Sequence, residues 1–285
     1  MQPNTLEQAR TFIRIIRRNK MATTGGILLT ILVVVGILAP LIAPHDPYLI
    51  SGSKRLLPPS REHLFGTDRL GRDVFSRVLY GTRLSLFIGV SVVSVSAAVG
   101  IAAGLAAGYL PRFDKILMRV ADGLMAFPGI VLAIGIMAAL GARVSNVIIA
   151  LSVSQAPRFA RVVRSAVLSV RERDFVQAAV AQGASVPRIM WRHILPNCVA
   201  PIIVQATLYV ASSILAEASL SFLGAGVPPE IPSWGTTLAS GRPHMRVAWW
   251  VTTFPGLAIM LTVLSLNLFG DGLRDALDPT MYRDR

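Results

Sequence analysis

Acidic side chains are scarce in this chain: 15 Asp and Glu stand against 28 Lys and Arg in 285 residues, and charged residues of both signs make up only 15% of it. A soluble domain carries about a quarter charged residues, so an ordinary water-soluble globule is excluded. Cysteine is nearly missing. Cys198 alone cannot close an internal disulfide or build a cysteine-based metal centre; small, and at the start of an apolar run, it reads as a packing residue. Lysine is confined to Lys20, Lys54 and Lys115, and no G-x-x-x-x-G-K-[ST] phosphate loop exists, so no Walker-type nucleotide site is expected in this chain. G-x-S-x-G, H-E-x-x-H and C-x-x-C are absent too. An enzyme would need nucleophile and base residues converging inside the apolar runs, where little beyond Glu217 and scattered Ser and Thr is polar.

What is present is apolar. Hydrophobic residues make up 53% of the sequence and gather into runs suited to a hydrocarbon core of about 30 Å, which a helix of about 20 residues crosses. Six spans are expected, over 21–43, 84–109, 123–142, 144–157, 198–223 and 247–270. The fold class is an all-α integral membrane protein with six transmembrane helices. Residues 1–20 read as an N-terminal amphipathic segment, with Arg10, Arg14, Arg17, Arg18 and Lys20 turned toward anionic lipid. The first run follows at 21–43 and has no clear small-residue cleavage site, so a retained helix is expected. An external loop covers 44–83, a transmembrane core 84–270 and a polar tail 271–285.

Within the spans, Gly100, Gly104 and Gly108 repeat at steps of four and align three hydrogens on one helix face, a surface for close helix approach in lipid. Pro128-Gly129 predicts a kink or broken turn in the third span. The fourth is short for a straight crossing and is expected to be partly shielded by protein or to line a cavity. Arg158, Arg161 and Arg164 then recur every third residue, a basic stripe that reads as snorkelling toward headgroups, with an acidic partner as the alternative.

The interval 174–197 is the one long polar stretch that itself reads as ordered. Asp174 is placed to cap a short helix that Gly183 ends in a left-handed conformation, and Ser185 to cap a second. In the second, Val186, Ile189, Met190, His193 and Ile194 fall on one face while Arg188 and Arg192 sit four apart on another. Pro196 and Pro201 mark the start of the next span. A helix-turn-helix in a soluble protein binds DNA; here flanking spans place it at the membrane surface, and no nucleic-acid partner is expected.

Two external intervals stand out. In 44–83, Gly66-Thr67-Asp68, Gly71-Arg72-Asp73 and Ser76-Arg77 read as a glycine-turned loop in which Asp68 and Asp73 pair with neighbouring arginines. A metal site from His45, His63, Asp68 and Asp73 is the alternative, disfavoured because interleaved arginines would compete with a cation. The interval 225–246, with Pro228, Pro229, Pro232, Trp234 and Gly235, reads as a re-entrant or partner-contacting loop with an exposed aromatic. Trp249 and Trp250 suit an interface belt.

Gln177-Ala178-Ala179, Gly183 and Leu195-Pro196 together resemble the E-A-A, G, L-P loop of membrane subunits of bacterial ABC importers, with Gln177 where Glu is usual and His193 where Ile is commoner. The motif over Gly66, Thr67, Asp68, Gly71, Arg72, Asp73, Ser76 and Arg77 is similar to the signature of the peptide and nickel branch, specifically its C-type subunit. The resemblance extends from about residue 61 to 279 and takes in the segment from Glu217 to Gly224. It implies a type I permease fold with a cytoplasmic coupling helix in the 174–197 loop. It also implies a homologous second permease subunit, one or two ATPase subunits and an extracytoplasmic substrate-binding protein. No cofactor is expected in this chain itself; ATP and Mg would be held by the partner ATPases, and the cargo would be peptide, with nickel or another small solute as the alternative.

Glu217 is the acidic side chain well inside an apolar run, where charge is expensive. About twenty residues beyond Asn197, at roughly 1.5 Å each, it nears the opposite face of the core, which favours a hydrogen-bonded or pore-mouth carboxylate over a buried ion relay. A stand-alone ion-coupled carrier using Glu217 is the rival reading, and a membrane enzyme a weaker one. Of the 28 Lys and Arg, 18 fall on the side that holds both termini. Positive-inside reasoning therefore puts the termini and the 174–197 loop in the cytoplasm of a bacterial inner-membrane protein.

Overall fold

The computed structural model describes residues 19–277, so nearly all of the expected amphipathic segment over 1–20 and the second half of the tail lie outside the described residues. Among the described residues the backbone is helical, with one isolated bridge between Thr67 and Asp73. In hydrocarbon no water satisfies a free amide, and helices satisfy their own.

The first helix, α1 (Lys20–Ile42), starts where the Asn19 side chain accepts from the backbone N–H groups of Met21 and Ala22 at 2.9 and 3.2 Å. Its outer face is open, with Leu41 84% exposed, as a lipid-facing helix requires. The second, α2 (Val74–Tyr109), is 36 residues long, about 54 Å at 1.5 Å per residue. It begins ten residues before the expected span because Asp73 caps it, accepting from the Ser76 N–H at 2.8 Å. The polar first turns are then buried rather than looped out.

The expected third span does not form one straight helix. An amphipathic α3 (Pro111–Met125) and a short apolar α4 (Gly129–Leu140) meet at 88°. Pro128 disfavours helical geometry at the residue before it, which makes the predicted break a corner. The short fourth span is the first half of α5 (Val144–Arg171), a continuous 28-residue helix with Pro157 inside it. The next helix-turn-helix comprises α6 (Asp174–Ala181) and the start of α7 (Val186–Phe222). A short α8 (Trp234–Gly241) and a long α9 (Trp250–Leu277) complete the chain. Four helices, α1, α2, α7 and α9, are long and apolar enough to cross a membrane, or five if the bent pair counts as one span. The six expected spans therefore correspond to these four, the α3–α4 pair and α5.

One expectation about α7 is met only in part. Pro196 stands in the first turn of the α-helical part, Leu195–Phe222, as expected, but Pro201 lies inside the helix and the chain stays helical from the 174–197 turn into the span. A wide π-helical turn over Ile189–Ile194, in which the Leu195 N–H donates to the Met190 carbonyl, precedes Pro196. It accommodates the proline, whose ring would crowd the carbonyl four residues back in a tight α-turn.

The bundle is centred on α2 and α5. Gly100, Gly104 and Gly108 face Phe159, Ala160, Val163 and Val167, so the glycine face expected for assembly is used inside the chain. A Cβ at position 104 would lie 2.6 Å from Val163 Cβ and 2.7 Å from the Ala160 carbonyl oxygen, whereas at Gly123 it would meet nothing within 4 Å. Gly104→Leu is expected to cost about 1–3 kcal/mol of stability through overpacking, while Gly123→Ala is neutral or slightly stabilising. Thermal unfolding of the two purified variants in one detergent measures the contrast; equal midpoints would mean that the α2–α5 seam is not tightly packed.

Candidate functional site

The 174–197 turn is built from local rules. Gly183 has φ of +75°, the left-handed value that glycine reaches without steric cost. The Gly183 N–H donates to the Val180 carbonyl at 2.9 Å and the Ala184 N–H to the Ala179 carbonyl at 3.1 Å, the two bonds of a Schellman motif that closes α6. Arg173, rather than Asp174, is the N-cap, and Asp174 occupies the first turn, where its charge suits the helix dipole. Ser185 is the cap residue of the second helix by backbone geometry, with no side-chain cap bond.

This turn is part of the core. Val176 of α6 and Ile189, Ile194 and Cys198 of α7 belong to one buried cluster with Phe159, Val163 and Val167 of α5; Cys198 is packed, as expected. Gln177 donates its amide to the Arg171 carbonyl at 3.0 Å and so closes the end of α5. The outer surface of the turn is different. Ala178, Gly183, Arg188, Arg192 and Pro196 are exposed, His193 and Leu195 are half-buried, and Ala179 is buried. Beside them Phe175, Val180, Val186 and Trp191 present apolar surface, Trp191 being 65% exposed. Val186 was assigned to the greasy inward face and instead points out. Trp191 was missed; a tryptophan in a polar interval was its signal.

The basic stripe after Pro157 meets acids. Arg164 grips Asp114 of α3 through two bonds of 2.5 and 2.7 Å, and Arg161 contacts Asp122 at 2.7 Å. The snorkelling expectation therefore gives way to an α3–α5 ladder, for which the acidic residues of the 110–122 interval were the signal.

At the opposite end, the glycine-turned loop forms as expected, with Gly66 and Gly71 at φ of +70° and +75°. Asp68 pairs with Arg72 at 2.7 Å. Asp73 does not pair with an arginine: it caps α2 and binds His63 Nδ1 at 2.8 Å. Arg77, fully buried, donates to the carbonyls of Pro47 and Pro229 at 3.2 and 3.4 Å. Thr67 accepts the Leu57 N–H and gives its own carbonyl to Trp250 Nε1 at 3.1 Å. Trp250 is thus a buried plug, and Trp249, 53% exposed, is the one of the pair that remains free to join an interface belt.

Glu217 is wholly buried and hydrogen-bonded, the first of its two expected readings, and acts as a clamp between elements. Its carboxylate accepts from Ser221 and Ser233 at 2.9 Å each and from Ser85 at 3.4 Å, which joins α7, the N-cap of α8 and α2. Trp234, expected to be exposed, is buried beside it and donates its backbone N–H to Ser85 and its indole N–H to the Val78 carbonyl. The re-entrant reading of 225–246 fits α8 better than a free loop does. Ser85 and Ser233 were missed, although Ser233 and Thr236 form a capping box legible in the S-x-x-T spacing.

A cavity of about 950 Å³ opens near this clamp, lined by Tyr48, Arg69, Glu230, Arg242 and His244 among others. Glu217 is not among its lining residues, whereas its partner Ser221 is.

Known proteins match this chain along nearly its whole length. Residues 98–283 match the family described as binding-protein-dependent transport system inner membrane component, and residues 7–59 match the N-terminal TM domain of oligopeptide transport permease C. The dipeptide transport system permease protein DppC of Alkalihalophilus pseudofirmus is 47% identical over 93% of this chain and 88% of its own length. The glutathione transport system permease protein GsiD of Escherichia coli is also 47% identical, over 96% of this chain and 92% of its own. Among solved structures, an inward-facing conformation of the MetNI methionine ABC transporter aligns with a TM-score of 0.61 at 18% identity, covering 71% of this chain and 97% of that one. At that identity the likeness shows a shared fold.

The clamp predicts an asymmetry between two substitutions at one position. Glu217→Ala takes away the acceptor that three serine hydroxyls share and is expected to cost about 3 kcal/mol, since buried polar groups left unsatisfied cost roughly 1–3 kcal/mol. Glu217→Gln keeps an acceptor oxygen and should cost about 1 kcal/mol. Thermal midpoints of the purified variants report the difference, and two wild-type midpoints would remove the structural role assigned to this carboxylate.

Proposed function

The chain belongs to the family of binding-protein-dependent transport system inner membrane components and is a multi-pass permease subunit of an ABC importer, and from that premise we propose that the turn around Gly183 is where a cytoplasmic ATPase drives it and that short peptides are its cargo. The observation that carries the docking reading is the two-sided build of the turn. Val176, Ile189 and Ile194 bind it into the core of α5 and α7, while Phe175, Val180, Trp191, Arg188 and Arg192 remain outward. A partner groove with an apolar floor and acidic rim complements that surface. ATP and Mg are held by the ATPase. Its closure moves the turn, and because the turn has no loose joint to the bundle, α5 and α7 move with it and reorient a pathway shared with a second permease subunit.

Positive-inside counting supports a cytoplasmic position for the turn and for both termini, with the Glu217 clamp and the Asp68–Arg77 loop on the outer side, where a substrate-binding protein delivers cargo. Relatives named for dipeptide and glutathione transport, the latter itself a short peptide, support the cargo class. The outer cavity is consistent with it: exposed Arg69 and Arg242 can meet a carboxylate terminus and exposed Glu230 an ammonium terminus.

Two variants test the turn. Gly183→Asn adds a side chain that tolerates the left-handed region, and Gly183→Leu adds a bulkier one that does not; both point into open space within the chain. Each is expected to insert normally but to recover less ATPase on mild-detergent purification and to lower ATP-driven uptake of a labelled dipeptide about tenfold or more, the equivalent of ~1.4 kcal/mol of docking free energy. Wild-type recovery and uptake with both variants would show that this turn does not dock the motor. Uptake by the purified chain in liposomes without ATP or partners would favour a stand-alone carrier.

A further inference from the structure

We propose that His45, Glu62 and His63 form a binding site for a borderline divalent cation, with Zn²⁺ the best fit, on the loop between α1 and α2. One ligand atom from each of these residues lies within 4.8 Å of the other two. In a tetrahedral zinc shell with bonds of about 2.0–2.1 Å, neighbouring ligand atoms stand about 3.3 Å apart, so shifts of about 1 Å close the site. The residues that must shift are the more exposed ones. Glu62 is exposed and the His45 ring is 30% exposed, whereas His63 is 4% exposed.

His63 is already organised as a metal ligand. Its Nδ1 faces Asp73 Oδ1 at 2.8 Å. A carboxylate can only accept, so the imidazole proton resides on Nδ1 and Nε2 carries the lone pair. That Nε2 is buried, has no hydrogen-bond partner, and lies 3.9 Å from Glu62 Oε1. A carboxylate behind a histidine that presents its other nitrogen to a metal is the usual supporting arrangement of such sites. The second imidazole lies beside it: His45 Nδ1 is also buried without a hydrogen bond and stands 3.7 Å from the same Asp73 Oδ1, and the two rings lie 4.7 Å apart. Backbone bonds fix both residues. The His45 N–H donates to Ser76 Oγ, the His63 N–H donates to Ser60 Oγ, and the His63 carbonyl accepts from Ser60 and Gly66.

The interleaved arginines that argued against a cation are directed elsewhere. Arg72 is bound to Asp68, and Arg77 to the carbonyls of Pro47 and Pro229. The structure also replaces the expected ligand set, since Asp68 is consumed by Arg72, Asp73 stands behind His63, and Glu62 joins instead. The resident competitor is Lys54, whose ammonium lies 2.5 Å from Glu62 Oε1 and holds that carboxyl below its ordinary range. Lys54 is partly exposed on a long stem and can swing aside. Two imidazoles and one carboxylate, with the fourth position left to water, suit Zn²⁺ better than Mg²⁺ or Ca²⁺, which prefer oxygen. A cation here joins the segment leaving α1, the 60–63 turn and, through Asp73, the start of α2. It would stiffen the part of the loop that continues to Tyr48 at the cavity wall.

This site stands on its own geometry and does not depend on the docking role of Gly183 or on the cargo. The test uses the purified, chelator-stripped complex, with Zn²⁺ followed by titration calorimetry and Co²⁺ by its ligand-field absorption. The expected result is one saturable Zn²⁺ site per chain in the loop, a raised thermal midpoint, and a Co²⁺ spectrum typical of a four-coordinate nitrogen and oxygen shell. The conservative pair His45→Gln and Glu62→Gln leaves the His63–Asp73 contact intact and should each weaken binding about 10–100-fold, with the double variant losing that one equivalent. His193 and His244 lie outside the cluster, so their replacement should leave it unchanged. Absence of saturable Zn²⁺ and Co²⁺ binding, or an unaltered affinity in the folded double variant, would overturn the proposal.

Discussion

Direct backbone contact between α2 and α5 is the constraint on which the rest of this structure depends. In lipid the hydrophobic effect does not press one apolar helix against another, so close packing must supply the attraction. Three glycines on α2 remove the side chains that would hold the helices apart, and Phe159, Val163 and Val167 fill the groove. Each helix then carries a functional feature at an end. At one end of the bundle α2 emerges from the capped loop of Asp73 and Arg77, and at the other end α5 runs into the turn built around Gly183.

The two ends are stabilised by different physics. At the Asp73 end buried polar groups are paired individually: Asp68 with Arg72, Asp73 with His63 and the α2 cap, and Glu217 with three serines. Buried polar groups are tolerated there because hydrogen bonds from several elements replace their water. The Gly183 end relies on apolar packing of Val176, Ile189 and Ile194, with the arginines left outward or paired with α3 acids. The docking proposed for this surface would break no internal polar bond of that packing.

Much of the fold was legible because the rules behind it are local. Gly183 announced a left-handed turn, Gly66 and Gly71 a turned loop, Pro128 a break, and the glycine repeat a close helix face; all are in place. Reasoning failed where a partner distant in sequence decided the outcome. Asp73 was assigned to an arginine because arginines are its sequence neighbours, but the fold brings His63 to it. Arg161 and Arg164 were read as facing headgroups because Asp114 and Asp122 lie some 40–50 residues away in the chain. Trp234 and Trp250 looked like surface aromatics and are buried plugs.

The sequence by itself determined that this is a helical membrane protein, where its apolar runs and turns lie, that it lacks a nucleotide-binding loop, and that its motifs place it among importer permeases. The first three follow from composition, periodicity and glycine or proline geometry, which act within a few residues; the last rests on the resemblance of its motifs to that family's. Only the tertiary structure decided which polar groups meet. It made Glu217 a clamp, turned the bent α3–α4 pair into a corner, carried α7 through Pro196 on a widened turn, and set His63 against Asp73 with its other nitrogen unpaired. Such pairings depend on how helices many residues apart are packed, and the pattern of a single segment does not encode which distant segment will satisfy it.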